Sequence, residues 1–327
     1  MTYERAASLE AAVAARAAGA TLLAGGMSLV DLMALGLERP ARLVDVSRVA
    51  ELARVEHLPG GGCRIGALAR MADVAADPGV RRRFPVLAEA ILSAASGQIR
   101  NAGTVAGNLL QRTRCPYFRD AAFAACNKRR PGSGCAAGQG ISRGHAVFGA
   151  GESCIATHPG DLAPALAALD AVVEVAGPAG RRRELPAGEL HRLPGDEPER
   201  DTHLRPDEVV AAFRLPAAAR AAKSAYVKVR ERQSYAYALV SAAVAFEAPG
   251  GVIRSARVVL GSVAPRPWPA TVAEAALIGA APGEAVFERA GQAAAAGASP
   301  TADNRYKLAL VAAAVTEALI QAWRRSA

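Results

Sequence analysis

Four of the five cysteines in this 327-residue chain lie within one stretch of forty residues, and this clustering limits how the chain can fold more than any other feature. They are Cys115, Cys126, Cys135 and Cys154, separated by ten, eight and eighteen residues. Between residues 111 and 151 the hydrophobic periodicity of helices and strands is lost, and Cys, Pro, Gly and Arg accumulate. We therefore expect residues 111–156 to form a wrapping loop that its cysteines organise.

Several arrangements of these four thiols are open on chemical grounds. A disulfide framework allows three pairings, but a large cytosolic protein with its own core rarely needs one. Structural zinc accepts four thiolates, although the usual C-x2-C pairs are missing. A [4Fe-4S] cluster takes one thiolate at each corner, and widely spaced cysteines suit it. The residues alone leave iron–sulfur, zinc and no metal as alternatives.

Basic and small residues surround the first cysteines. Six cations lie near Cys115 and Cys126, which predicts stabilisation of a reduced, more negative cluster: Arg112, Arg114, Arg119, Lys128, Arg129 and Arg130. Three glycines, Gly132, Gly134 and Gly138, are expected to let backbone N–H groups approach the sulfur atoms. The fifth cysteine, Cys63, stands alone in a strand pattern and is expected to be a buried apolar residue.

Composition excludes several classes of function. Hydrophobic residues make up 51% and charged residues 21% of the chain, as in an ordinary globular protein, and no apolar run reaches membrane-spanning length. The net charge of +9 comes from scattered arginines without a basic stripe, so we expect no nucleic-acid binding. Residues 1–10 lack a secretory signal; we expect a cytoplasmic protein, or a periplasmic one exported with a signal-bearing partner.

Two segments have the composition of dinucleotide-binding loops. A short strand at residues 21–23 runs into Ala24–Leu29, which opens into a helix near residues 30–35. The second segment, residues 98–109, is rich in glycine and polar residues and is expected to be a loop. Each offers N–H donors to a pyrophosphate, and neither contains G-x-G-x-x-G.

The hydrophobic pattern divides the chain into three parts. We expect one domain over residues 1–52, a second over 53–215 with the loop 111–156 inserted, and a third over 216–327, with a linker at Pro216–Ala222. In the third part, strands are predicted near residues 225–230, 241–247 and 252–262, followed by three helices. The last helix, from about Asn304 to Arg324, has one apolar face: Leu308, Val311, Val315, Leu319 and Trp323.

Four motifs, AGGMSLVDLM, RNAGTVAGNLL, THPGDLAPAL and YVKVRERQSYAYALVSAA, occur in an order that resembles the FAD-binding subunit of the xanthine dehydrogenase and molybdenum hydroxylase family. The resemblance covers essentially the whole chain. The segments NLLQRTRCPYFRD, CNKRRPGSGCAA and CIATHP resemble the [4Fe-4S]-containing medium subunit of bacterial, often periplasmic, aldehyde oxidoreductases. The resemblance implies an α+β fold: a two-subdomain PCMH-type FAD-binding domain, then a C-terminal domain of a small antiparallel sheet plus helices.

The resemblance also implies the cofactor contacts. The four clustered cysteines would hold a [4Fe-4S] cluster near the flavin. One side of the FAD pyrophosphate would be wrapped by Leu23, Ala24, Gly25, Gly26, Met27, Ser28 and Leu29. The other side would be held by Thr104, Gly107 and Asn108. Asp161 would bind a ribose or adenine-side group, and Lys228 would reach the flavin. Met27 stands where relatives commonly have threonine, and Ala106 replaces a frequent glycine.

The implied function is electron transfer. A small [2Fe-2S] subunit would deliver electrons to FAD on this chain, which would pass them to an external acceptor, while substrate is oxidised at the molybdenum cofactor of a large subunit. No residue of this chain is expected to act as a catalytic acid or base. The alternatives are the FAD subunit of a molybdenum hydroxylase for a purine, a CoA thioester or CO, and a zinc-stabilised scaffold without redox function.

The five histidines fall outside the motifs. His158, between Cys154 and Asp161, is expected to be a hydrogen-bonded structural residue. The other four, on predicted loops, are expected to be solvated: His57, His145, His191 and His203. Tyr235 and Tyr237 either approach the flavin or belong to the core.

Overall fold

The structure is a computed structural model that describes residues 1–217 and 223–325. The predicted linker, residues 216–222, lies mostly outside the described residues. The described residues form three separate β-sheets. Within the described ranges, no helix has the length and apolar character needed to span a membrane.

The first sheet is parallel and has the strand order β1-β3-β2. Its elements in chain order are β1 (Thr2–Arg5), α1 (Leu9–Ala17), β2 (Thr21–Leu23), α2 (Leu29–Ala34) and β3 (Arg42–Asp45). Helix α1 begins after Ser8, because the side chain of Ser8 accepts a hydrogen bond from the Ala11 N–H. Strand β1 was not predicted, since its four residues are all exposed and carry no alternating apolar pattern.

The second sheet is antiparallel, with the order β4-β5-β8-β6-β7. Its strands are β4 (Val55–His57), β5 (Cys63–Gly66), β6 (Val172–Ala176), β7 (Arg182–Pro186) and β8 (Val209–Leu215). Four helices pack around its core: α3 (Met71–Ala76), α4 (Pro78–Arg83), α5 (Pro85–Ser93) and, later in the chain, α10 (Leu162–Ala168). Cys63 is fully buried in this core, as predicted.

The segment predicted as a loop over residues 98–109 is instead two short helices, α6 (Gly97–Ala102) and α7 (Val105–Leu109). Each begins at a hydroxyl side chain: Ser96 accepts from the Ile99 N–H, and Thr104 accepts from the Gly107 N–H. Glycine-rich composition indicated a loop, but two good N-caps are sufficient for single helical turns that the rest of the fold supports.

The loop 111–156 is mostly irregular, as predicted, with two single-turn helices, α8 (Pro116–Arg119) and α9 (Ala136–Gln139). Its end is anchored in the C-terminal core, where Val147 and Phe148 are buried. The rings of Phe148 and Trp268 stack with centroids 5.3 Å apart. The cysteine-bearing loop therefore contacts two parts of the molecule.

The C-terminal part is an antiparallel sheet with the order β12-β11-β10-β9, covered by helices. Its elements are β9 (Ser224–Val229), β10 (Val240–Glu247), β11 (Ser255–Gly261), β12 (Trp268–Pro269), α11 (Thr271–Leu277), α12 (Glu284–Ala293) and α13 (Lys307–Arg324). On α13, Val311, Val315 and Leu319 are fully buried, which confirms the predicted packing face. Trp323, at its end, is 38% exposed and meets the ring of Phe287 edge-on.

Candidate functional site

A cleft of about 1040 Å³ opens where the first sheet, helices α6 and α7 and strand β9 meet. Eleven of the twelve predicted cofactor residues line it: Ala24, Gly25, Gly26, Met27, Ser28, Leu29, Thr104, Gly107, Asn108, Asp161 and Lys228. The twelfth, Leu23, ends strand β2, and its carbonyl accepts a hydrogen bond from the Val46 N–H. Residues that are far apart in the sequence therefore surround one space of a size typical of cofactor sites.

The loop between β2 and α2 requires glycine at two positions for different reasons. A Cβ atom on Gly25 would lie 2.1 Å from the carbonyl oxygen of Ala102, so this loop passes directly against helix α6. Gly26 has φ +73°, a conformation that other residues rarely adopt. The backbone is thereby brought close to the cleft, with the first-turn N–H groups of α2 beside it.

The opposite wall of the cleft is formed by helix α7. The Thr104 hydroxyl accepts from the Gly107 N–H at 3.1 Å, so it caps the helix instead of standing free. Asn108 differs, because its buried Oδ1 atom has no hydrogen-bond partner in the part of the chain that the structure describes. A buried amide oxygen left unpaired beside a cleft is suited to a hydrogen-bond donor of a ligand, such as a hydroxyl or N–H group.

Asp161 and Lys228 form a buried ion pair at the end of the cleft. Lys228 Nζ lies 2.9 Å from Asp161 Oδ2, and the two side chains are 3% and 6% exposed. Tyr226 donates its hydroxyl to Asp161 Oδ1 at 2.7 Å, and burial raises the pKa of this tyrosine well above its ordinary value. Tyr226 and Lys228 reach the same carboxylate because residues i and i+2 of a strand share one face.

The Lys228 ammonium also donates to the carbonyl of Ser93 at 3.1 Å, at the end of helix α5. The family resemblance implied separate contacts, with Asp161 at a ribose or adenine-side group and Lys228 at the flavin. In the structure they bind each other, and their ion pair as a unit lines the cleft.

Three arginines of the cysteine loop also line the cleft, each in an ion pair. Arg114 Nη1 and Arg119 Nη2 lie 2.9 and 2.8 Å from Asp31 Oδ2, on helix α2. Arg112 binds Asp201 at 2.8 Å. These contacts join the loop that carries the cysteines to the walls of the cleft.

Four of the six cations near the first cysteines are thus in ion pairs with carboxylates, and their predicted effect on a cluster stays a prediction. Besides the three arginines, Lys128 binds Asp201 at 2.5 Å, and Arg129 donates to backbone carbonyls. The predicted glycine amides are also engaged elsewhere: the Gly134 N–H donates to Asn127 Oδ1, and the Gly138 N–H to the Cys135 carbonyl. The sequence correctly identified polar groups that lie near the cysteines along the chain. In the folded structure, these groups bind other acceptors.

The four clustered cysteines line one small cavity together. All five cysteines are free thiols, so the disulfide alternative is not adopted. Cys126 and Cys135 pair through an isolated β-bridge, and Cys154 Sγ accepts from the Ala156 N–H at 3.5 Å. Burial raises the pKa of the Cys115 thiol to about 11. Within residues 1–217 and 223–325, no group of three or more His, Cys, Asp or Glu side chains is arranged to hold a metal ion.

Two of the histidines expected to be solvated are buried. His145 is 3% and His191 1% exposed, so that prediction is wrong for both. His145 Nε2 lies 3.2 Å from Cys115 Sγ. His158, confirmed as a structural residue, shares the Leu109 carbonyl with His191, at 3.1 and 2.8 Å from their Nε2 atoms. No local signal identified His145 or Asp31, since their partners lie 30 and more than 80 residues away along the chain.

Tyr235 and Tyr237 both line the cleft, and neither belongs to the core. They are 58% and 47% exposed. The Arg114 guanidinium lies 5.0 Å from the centroid of the Tyr237 ring, a cation–π contact. The cleft is thus bounded on this side by an aromatic side chain that contacts the residue preceding Cys115.

Protein-family models and known relatives match this chain over nearly its whole length. The family model of the FAD binding domain in molybdopterin dehydrogenase matches residues 1–218, and that of the CO dehydrogenase flavoprotein C-terminal domain matches residues 225–322. The aldehyde oxidoreductase FAD-binding subunit PaoB of Escherichia coli is 47% identical over 323 residues, 98% of each chain.

Two solved structures have similar folds over nearly the whole chain. Carbon monoxide dehydrogenase from Hydrogenophaga pseudoflava gives a TM-score of 0.76 at 30% identity, covering 99% of this chain and 98% of that one. Quinoline 2-oxidoreductase from Pseudomonas putida 86 gives 0.75 at 26% identity, covering 98% and 96%. With a cleft built from the predicted cofactor loops, the chain thus belongs to the molybdenum hydroxylase family as an FAD-binding subunit, the flavoprotein component of an oxidoreductase.

Proposed function

We propose that this chain is the FAD- and [4Fe-4S]-containing electron-transfer subunit of a heterotrimeric, molybdenum-dependent aldehyde oxidoreductase. The observation that carries the proposal is that four cysteines from forty residues of sequence line one cavity, in a loop that also contributes to the FAD cleft. The relative PaoB, named as an aldehyde oxidoreductase subunit, is similar over the whole chain. This similarity favours an aldehyde substrate for the partner subunit over a purine, a CoA thioester or CO.

The donor set suits an iron–sulfur cluster better than zinc. Structural zinc sites usually take their thiolates from close C-x2-C pairs, and the spacings of ten, eight and eighteen residues contain none. A cubane has four irons at separate corners, and each takes one thiolate. Cys115, Cys126, Cys135 and Cys154 would be its ligands.

Within the cleft, this chain would bind and orient FAD, which supplies the ability to accept and release electrons. Backbone N–H groups of residues 24–29 would meet the pyrophosphate, a role that the close contact between Gly25 and Ala102 supports. From the other wall, the side-chain NH2 group of Asn108 would donate to the pyrophosphate, while its unpaired Oδ1 atom would accept from a hydroxyl or N–H group of the bound FAD. The Lys228–Asp161 pair would place a fixed dipole beside the flavin.

Electrons would enter from a small [2Fe-2S] subunit and leave to an external acceptor, with substrate oxidation on a large molybdenum subunit. Absorbance, EPR, iron and flavin analysis of the purified protein test the cofactor content. We expect one FAD and about four irons per chain. A colourless protein with zinc and no iron would instead favour the scaffold alternative. Assays of the complex with aldehydes, purines and CO then identify the substrate class.

A further inference from the structure

We propose that His145 donates a hydrogen bond to the Cys115 thiolate and thereby raises the reduction potential of the cluster that Cys115 would bind. The inference rests on the proposed function, because it assumes a cluster in the cysteine cavity. The observation behind it is the distance of 3.2 Å between His145 Nε2 and Cys115 Sγ. Sulfur accepts hydrogen bonds at such a distance because its radius is larger than that of oxygen.

The direction of this hydrogen bond follows from the protonation states. A thiolate bound to iron carries no proton, so the imidazole must be the donor. His145 would then carry its proton on Nε2 and leave Nδ1 unprotonated. Nδ1 is buried and has no hydrogen-bond partner in the described residues. A proton on Nδ1 would leave a buried N–H without an acceptor, which folded proteins avoid, so the surroundings select the tautomer that faces the sulfur.

The backbone of His145 is held both within the cysteine loop and from the C-terminal part of the molecule. The backbone N–H of His145 donates to the Ser142 carbonyl at 2.9 Å, and the backbone carbonyl of His145 accepts from Lys307 Nζ at 3.0 Å. Lys307, at the start of α13, is fully buried and also donates to the carbonyls of Gly144 and Ser262. The backbone position from which the imidazole reaches Cys115 is therefore fixed by a different region of the fold.

The electrostatic consequence is a more easily reduced cluster. An N–H group directed at a thiolate ligand withdraws negative charge from it, and the reduced cluster is the more negative form. Four of the nearby cations are paired with carboxylates: Arg112 and Lys128 with Asp201, and Arg114 and Arg119 with Asp31. The imidazole of His145 is therefore a polar group that contacts the Cys115 sulfur directly.

The test compares His145→Leu with His145→Gln in the assembled enzyme. His145→Leu removes the donor, and we expect FAD and iron to remain while the EPR-monitored midpoint potential of the cluster moves lower. A tenfold change in the reduction equilibrium equals 59 mV for a one-electron couple. His145→Gln keeps an N–H donor and should recover part of the shift. His57→Leu, at a histidine on strand β4 outside the cysteine cavity, should leave the potential unchanged.

An unchanged potential in His145→Leu with full iron would overturn the inference. So would loss of iron in both variants, because that result would make His145 a ligand or a folding determinant. If His145→Leu does not fold, 15N-histidine labelling of the wild-type protein decides: weak nitrogen coupling to the reduced cluster supports a hydrogen bond, and no coupling or the strong coupling of a ligand contradicts it. A wild-type protein without iron would refute the proposed function itself, which is a distinguishable outcome.

Discussion

Asp31 Oδ2 lies 2.9 Å from Arg114 Nη1, and this ion pair joins the two regions of the chain that carry cofactor residues. Asp31 belongs to helix α2, which follows the loop 24–29, and Arg114 immediately precedes Cys115. Arg119 binds the same carboxylate from the other end of helix α8. The position of the first cysteine is therefore linked to the position of the predicted pyrophosphate loop.

Asp31→Asn should weaken the anchoring of both the loop 24–29 and the cysteine loop. The Asp31 side chain is 38% exposed, so we expect the free energy of unfolding to fall by only about 1 kcal/mol. FAD affinity should fall by a similar free energy, about fivefold, because the loop before α2 loses an anchor. Flavin fluorescence during FAD titration measures this change. Asp170→Asn, which removes a comparably exposed pair with Arg257, is the control; equal FAD affinity in both variants contradicts the coupling.

Gly25→Ala should impair FAD binding through a steric clash. The new methyl group would lie 2.1 Å from the Ala102 carbonyl oxygen, so the loop must move away from helix α6. Overpacking of this kind costs about 1–3 kcal/mol. Gly97→Ala is the matched control, since its Cβ would meet nothing within 4 Å. The flavin-to-protein ratio after purification measures the effect, and full flavin content in Gly25→Ala would show that the loop tolerates displacement.

Lys228→Met should destabilise the protein by leaving Asp161 as an unpaired buried charge. Removing one partner of a buried ion pair costs about 3–5 kcal/mol. Replacing both partners, as Lys228→Met with Asp161→Asn, should recover part of this loss because no isolated charge then remains. Urea unfolding of the two single variants and the double variant measures the coupling. Additive effects would mean that the 2.9 Å contact contributes no interaction energy.

Cys126→Ser should remove cluster iron without altering the loops that line the cleft. The substitution takes away one of the four thiolates around the cavity, and the remaining three cannot complete a cubane. We expect the iron content and the charge-transfer absorbance to fall, with a disturbed flavin spectrum. The control is Cys63→Ala, at the cysteine buried in the core of the second sheet, and this variant should retain iron. Full iron in Cys126→Ser would show that the ligand assignment is wrong.

The sequence alone was sufficient for features that depend on local pattern. The loss of periodicity around the cysteines predicted an irregular wrapping loop, and the apolar pattern predicted strands near residues 225–230 and 241–247, which are β9 and β10. The strand that runs into Ala24–Leu29 predicted a loop opening into a helix, and the structure adds the contact between Gly25 and Ala102. These predictions agree with the structure because strand, helix and turn preferences act over a few residues.

Tertiary structure alone decided which polar groups meet. Lys228 binds Asp161, Asp31 binds Arg114, and His145 faces Cys115, across separations of 30 to 83 residues. Periodicity carries no information about such pairs, because any buried charge must find a partner and packing determines which one lies within reach. For the same reason the arginines near the cysteines were correctly located in the sequence, yet their carboxylate partners became evident only once the chain was folded.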